Sequence, residues 1–322
     1  MNASKFNSVM APYIKGLLDQ KRALGYKYDV EEYVLGCFDK YWVQSNGKVD
    51  TITEETLSDW MKQRETEGKS SQAMRISIVR QLALYMNGQG KDAYIPECRI
   101  RCPHPVAYVL TPSEINAFLS AVDAFAPRRQ SPAVTRMADG YRVIFRLYLT
   151  TGLRRNEAVG IRIRDINWSN NSITIYNAKG HKDRIVFMSS DVSALLSEYI
   201  AHNQSVMATE WAFPSANPSR HFSGDALSLR FRKFWNETPF ASDTAKQPTI
   251  HSLRHTYVVF RMNAWMSQGV DLNVMLPYLS RMLGHKSSNE TFYYYHQVLQ
   301  AYKLIQAKDS LATTVFPEVR AR

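Results

Sequence analysis

Apolar residues recur at helical spacing through the first hundred positions. Val9, Met10, Tyr13, Ile14, Leu17 and Leu18 form one stripe that fades at Gly25, and Tyr33, Val34, Cys37, Phe38 and Tyr41 form a second. A third helix is expected to open at Thr51-Ile-Thr-Glu54, where a hydroxyl and a carboxylate can each satisfy an orphan backbone N–H as a capping box. Met74, Ile76, Ile78, Val79, Leu82 and Leu84 mark a fourth helix, which ends in the turn-prone run NGQGKD. Residues 1–98 therefore read as a four-helix bundle. Pro103 and Pro105 break the pattern, so 99–108 reads as a linker. Thr111-Pro112-Ser113-Glu114 then places an N-cap threonine, a proline at the first helical position and a glutamate at the third, and opens a second domain over 109–322.

That second domain is mainly helical with one clear strand signal. SITIYNA and RIVFM are alternating, β-branched runs on either side of a turn-like Lys179-Gly180-His181-Lys182-Asp183, which predicts a β-hairpin. Helical patterns cover 191–202, 224–236, 251–267, 272–283 and 289–308. The fold class is mainly α, with two helical domains and a small β element in the second.

Composition narrows the function. Hydrophobic residues make up 45% and charged residues 21% of the 322, which supports a true core and excludes a disordered or collagen-like chain. No run approaches the roughly 20 apolar residues of a membrane span; Arg146 interrupts VIFRLYL and Arg261 interrupts YVVFRM. The N-terminus lacks a secretory pattern. Cys37, Cys98 and Cys102 are odd in number and show no CxxC pair, so a reduced, cytoplasmic protein is expected, with no disulfide framework or zinc ribbon. Residues 1–98 hold 13 basic and 13 acidic side chains, so the whole net charge of +11 falls in residues 99–322. A basic field of that size attracts polyanions, nucleic acid first among them.

Five short patterns carry candidate chemistry, and each alone is weak. In Thr151-Gly152-Leu153-Arg154-Arg155-Asn156-Glu157 a glycine ends one helix, and Arg154 opens the next segment where a guanidinium fork can take a phosphate. Alone, it equally describes a surface arginine at a turn. Lys179 sits at the hairpin tip, as either a phosphate-binding ammonium and proton donor or a solvated turn lysine. His251 and Arg254, three apart on a helix, share a face and could bracket one anion. A metal at His251 and His255 is disfavoured, since Ser252 stands where HExxH needs glutamate. Gly284 lets a helix end and turns His285 toward a cleft, and Tyr294 follows nine residues later within Phe292-Tyr293-Tyr294-Tyr295-His296. Two arginines, a lysine, two histidines and a tyrosine, without a carboxylate cluster for Mg²⁺ or a P-loop, make a metal-free phosphoryl-transfer set.

In their order and spacing these motifs resemble the tyrosine recombinase, or phage integrase, family. TGLRRNE matches the segment of its first catalytic arginine, AKGHKDR the lysine hairpin, HSLRH the histidine and second arginine, and LGH the next histidine, with a tyrosine nine residues on. The resemblance implies a SAM-like core-type DNA-binding domain over 1–98 and a recombinase catalytic domain over 109–322. It also implies that Arg154 and Arg254 hold the scissile phosphate, Lys179 protonates the departing 5′ oxygen and Tyr294 attacks, with His251 and His285 assisting. Glu157 is expected to buttress the first arginine. No cofactor is implied.

The implied partner is a double-stranded DNA recombination site, bound by a homotetramer in a synaptic complex, with accessory DNA-bending proteins as further candidates. The apolar stripe of Val298, Tyr302 and Ile305 is expected to pack on a neighbouring protomer. The chain begins almost at its first helix, which leans toward simple core-type sites. Alternatives at this stage are a type IB topoisomerase-like enzyme, a DNA-binding protein with a dead site, and a chromosome-dimer resolvase rather than an integrase of a mobile element.

Overall fold

A computed structural model describes residues 6–102, 106–127, 131–178, 182–206, 208–242, 247–285 and 287–295. The chain divides into two compact units, Met1–Pro105 and Val106–Arg322, each with its own core. The division falls inside the stretch read as a linker.

The described residues of the first unit form four helices: α1 (Ala11–Ala23), α2 (Asp29–Ser45), α3 (Glu54–Met61) and α4 (Lys69–Gly88). Phe38 is its centre, with ring centroids 5.3 Å from Trp42 and 5.1 Å from Trp60. The capping box of α3 lies two residues later than the sequence suggested. Thr53 accepts from the Thr56 N–H at 3.2 Å while Thr56 accepts from the Thr53 N–H at 2.9 Å. Thr51 is engaged elsewhere, donating to the Asp92 carbonyl at 2.9 Å. Val9, Tyr33, Met74 and Leu84, though on the apolar stripes, are exposed, Val9 because it precedes α1 and the others because they lie at the edge of the buried face of α2 or α4.

In the second unit, α5 (Pro112–Asp123) opens on the expected capping box, with Glu114 accepting from the Thr111 N–H at 2.7 Å. Leu110 is fully buried just before it and donates its N–H to Thr256 at 2.9 Å, so this unit is tied down from its first residues. The next helix, α6 (Pro132–Thr151), buries a broad face including Tyr141, Ile144, Phe145 and Tyr148, keeps Asp139, Arg142 and Arg146 on the partly exposed one, and leads directly into α7 (Arg155–Val159). Phe118, Phe145, Phe231 and Phe234 interlock α5, α6 and α9 (Gly224–Asn236).

The hairpin is present as β2 (Ser172–Ala178) and β3 (Lys182–Phe187). A two-residue strand, β1 (Ile166–Asn167), extends it to an antiparallel sheet of order β1-β2-β3, with Ile173 opposite both Ile166 and Val186. Two residues are too few for periodicity to reveal β1. The remaining helices are α8 (Ser190–Val206), α10 (Ile250–Ser267), α11 (Leu272–Leu283) and α12 (Ser288–Tyr295). The expected helix over 289–308 is thus described only to Tyr295; the stripe of Val298, Tyr302 and Ile305 lies outside the described residues. Tyr257, Val258, Met262, Leu276, Leu279 and Leu283 form a small second core between α10 and α11. No helix among the described residues is long and apolar enough to cross a membrane.

Candidate active site

Two helices end in the same way and set up the site. Gly152 closes α6 at φ 63° with its N–H on the Tyr148 carbonyl, and Gly284 closes α11 at φ 66°. At the second end the Gly284 N–H bonds to Arg281 and the His285 N–H to Ser280, a Schellman motif that reverses the chain at once. Both glycines are required by backbone handedness and by space. A Cβ on Gly152 would lie 2.5 Å from the Tyr257 ring, and one on Gly284 would lie 3.0 Å from Arg154 Nη1 and 3.2 Å from Arg184 Cζ.

Carbonyls at these helix ends carry partial negative charge and receive the two arginines. Arg254, on α10 and 1% exposed, donates through Nη1 to the Gly152 carbonyl at 2.6 Å and through Nη2 to the Leu283 carbonyl at 2.7 Å. Arg154, the N-cap of α7, donates through Nη2 to the Gly284 carbonyl at 2.7 Å. The guanidinium groups of residues a hundred positions apart therefore meet at one end of α11. Their rigidity follows from being bonded to backbone rather than to mobile side chains.

Glu157 buttresses Arg154 as expected, accepting from its backbone N–H at 2.8 Å and from Nη1 at 3.0 Å. The same carboxylate receives a fork from Arg184, at 2.9 and 2.6 Å. Burial opposes the charge on Glu157, but the bonds from Arg184 and then Arg154 outweigh it and hold the carboxyl below its ordinary range. Two guanidinium groups share one carboxylate, so the trio keeps a net positive charge.

Sequence reasoning assigned Arg184 no role. It lies within RIVFM, read from the sequence as an alternating, β-branched strand. In β3, Arg184 is 8% exposed on the same face as buried Val186, while Ile185 and Phe187 are each 52% exposed. The Arg184 Nε also donates to the Met282 carbonyl at 2.6 Å, so a strand residue holds the C-terminal turn of α11. An arginine alternating in phase with buried Ile173 and Val186 partners was the available signal, and only a fixed register makes it legible.

His285 joins the arginines. Its Nε2 lies 2.9 Å from Arg254 Nη2, and its Nδ1 lies 2.6 Å from the hydroxyl of Thr291 on α12. Burial first, then the charges of Arg254, Arg154 and Arg184, push His285 down to about 3. His251 sits one turn before Arg254 with its ring 4.6 Å from that of His255. Partial burial and then Arg254 and Arg154 take it down to about 4. Both imidazoles are neutral at neutral pH and in electrostatic reach of one another. Among the described residues no group of His, Cys, Asp and Glu has the arrangement of a metal site.

Of the six residues singled out from sequence, Arg154, Arg254, His251 and His285 are thus brought together. Tyr294 is carried by α12, next to α11 in the fold, with its side chain outside the described residues. Lys179 lies outside the described residues as well. Arg184, Thr291 and the carbonyls of Gly152, Leu283 and Gly284 are the members that sequence did not nominate.

The same fold occurs in solved recombinase structures. The Tn1549 transposon integrase in complex with transposon right end DNA superposes with a TM-score of 0.65 over 94% of this chain and 100% of that one, at 15% identity. A lambda integrase tetramer bound to a Holliday junction gives 0.63 over 88% and 76%, also at 15% identity. In sequence, the putative integrase/recombinase y4rE of Sinorhizobium fredii is 24% identical over 298 residues, 90% of this chain and 92% of that protein. The phage integrase family model matches residues 108–300, and the chain belongs to that family, the tyrosine recombinases, which break and rejoin DNA strands.

Proposed function

We propose that this chain is a site-specific DNA recombinase of a mobile genetic element that works through a 3′-phosphotyrosyl intermediate. Arg154 and Arg254 hold the non-bridging oxygens of the scissile phosphate. Tyr294 attacks the phosphorus, forming the tyrosyl–phosphorus bond as the bond to the 5′ oxygen breaks, and Lys179 delivers a proton to that oxygen. His251 and His285 assist the proton transfers and the phosphate contacts. The observation that carries this assignment is the convergence of Arg154, Arg254 and His285 at the end of α11, in a cluster that keeps excess positive charge.

Free tyrosine has a pKa near 10, so only about one in a thousand is ionised at pH 7. A fixed cationic pocket lowers the cost of the phenolate and neutralises charge growing on the equatorial oxygens. The phosphotyrosyl ester conserves the energy of the phosphodiester, so a 5′-hydroxyl from a second duplex can reverse the reaction without ATP or metal. Residues 1–98 act as a core-type DNA-binding domain and 109–322 as the catalytic domain. The working form is a homotetramer on paired double-stranded sites, in keeping with the tetrameric neighbour bound to a Holliday junction. DNA-bending proteins are candidate accessories.

The test is a nicked suicide duplex incubated with enzyme in EDTA and resolved on a denaturing gel. The wild type is expected to give a covalent protein–DNA band, and Tyr294→Phe to bind DNA without forming it. An adduct that survives Tyr294→Phe but disappears in Tyr293→Phe or Tyr295→Phe moves the nucleophile. A strict metal requirement overturns the mechanism.

A further inference from the structure

The hydrogen bonds around His285 determine where its proton sits. A guanidinium has donors only, so the 2.9 Å contact from Arg254 Nη2 requires that Nε2 present its lone pair. The ring faces Arg254 and His251 from α10, Arg154 from the start of α7 and Arg184 from β3, and this surrounding positive charge together with burial keeps it neutral. A neutral imidazole has one proton, and it must then lie on Nδ1. Its neighbour there is the Thr291 hydroxyl at 2.6 Å, which accepts it. The Thr291 hydroxyl, having accepted, directs its own proton to Ser280 Oγ at 2.7 Å. Thr291 is 0% exposed and Ser280 is buried, so water does not compete for these bonds.

The chain of bonds also links three elements. Ser280 lies in the last turn of α11, where its carbonyl receives the His285 N–H. Thr291 lies on α12 one turn before Tyr294. The side chain that orients the imidazole thus belongs to the helix that carries the tyrosine.

We propose that Thr291, backed by Ser280, is a positioning residue that fixes His285 in the Nδ1–H tautomer, aims its Nε2 lone pair at Arg254, and couples that aim to the seating of α12. The proposal rests on the recombinase assignment for its effect on rate, but not for the tautomer itself. A ring free to flip would present Nδ1–H and Nε2 in alternating places, and a misplacement of about 1 Å in a reacting centre costs on the order of 100-fold in rate.

Two measurements test it. In protein labelled with 15N-histidine, with His285 assigned by its loss in His285→Gln, the wild type is expected to show a single Nδ1–H tautomer. In Thr291→Val, which removes the acceptor and keeps the shape, the tautomers are expected to mix and adduct formation on the suicide duplex to fall on the order of 100-fold. Thr291→Ser restores the hydroxyl and is expected to recover both the tautomer and the rate. An Nε2–H tautomer in the wild type overturns the proposal, as does Thr291→Val at the wild-type rate or Thr291→Ser as impaired as valine. Should the valine variant fold poorly, the wild-type tautomer and the serine variant decide alone. Absence of any adduct from the wild type sinks the recombinase assignment instead, and the spectrum still decides the role of Thr291.

Discussion

Replacing Glu157 with glutamine isolates what one carboxylate does for two arginines. The introduced amide would keep the volume and one acceptor oxygen, but its N–H would face guanidinium donors, and the negative charge shared by Arg154 and Arg184 would be gone. The side chains of Glu157 and Arg184 are 11% and 5% exposed, so little water is available to take over. Removing one partner of a buried ion pair costs about 3 to 5 kcal/mol. Arg154 is 23% exposed and keeps its bond to the Gly284 carbonyl, which favours the lower end, about 3 kcal/mol. For a unit of about 200 residues that is a fall of roughly 6 to 12 °C in the melting temperature. The loss has a defined pH dependence. A carboxyl whose folded pKa is depressed stabilises above its unfolded value, near 4.3, and that stability disappears as pH falls through the folded value. Thermal denaturation of wild type and Glu157→Gln should therefore differ most at pH 6 to 8 and converge in acid, while adduct formation below the melting temperature also drops as Arg154 loosens. A variant that melts within 1 to 2 °C of wild type at pH 7, by the same scale, would falsify the claim that this carboxylate holds the arginines.

Arg254→Lys should fold and bind DNA yet lose about 100- to 1000-fold in cleavage rate on the suicide duplex, because one ammonium cannot reach the carbonyls of Gly152 and Leu283 together and still face a phosphate. Wild-type cleavage by that variant would mean that the fork geometry is irrelevant. Gly284→Ala meets a left-handed backbone worth about 1 to 2 kcal/mol and a Cβ in contact with Arg154 and Arg184, so it should lower both stability and cleavage, whereas Gly269→Ala, also at positive φ but with open space, should lower stability alone. Because His251 and His285 are shifted down to about 4 and about 3, the unfolded chain binds more protons than the folded one below about pH 6.5. Stability should be complete above that pH and decline as pH falls toward 4. In urea titrations at pH 7.5 and 5.5, the double variant His251→Gln, His285→Gln should show a smaller drop than wild type; equal drops would remove these histidines as the cause.

How much of this was written in the chain differs from element to element. Local chemistry was legible: the Thr111–Glu114 box opens α5, Gly152 and Gly284 end their helices in the left-handed conformation, and α9 and α11 run over 224–236 and 272–283 as their apolar spacing predicts. These features depend on residues within one or two turns of each other, so the sequence contains all the interacting parts. The order of TGLRRNE, HSLRH and LGH likewise named Arg154, His251, Arg254 and His285. The start of α3 was misplaced because Thr51 is claimed by Asp92, a residue 41 positions away. Only the tertiary structure showed that Arg184 points inward from an otherwise apolar strand and shares Glu157 with Arg154. It alone also showed that the hydroxyls of Thr291 and Ser280 line up behind His285, and that three helix-end carbonyls hold the arginines. Each of these bonds joins segments whose separation along the chain carries no periodicity. Which buried donor meets which acceptor is decided when α6, α10, α11 and β3 are packed at fixed register, since a polar group taken from water must find its partner in whatever the fold brings beside it.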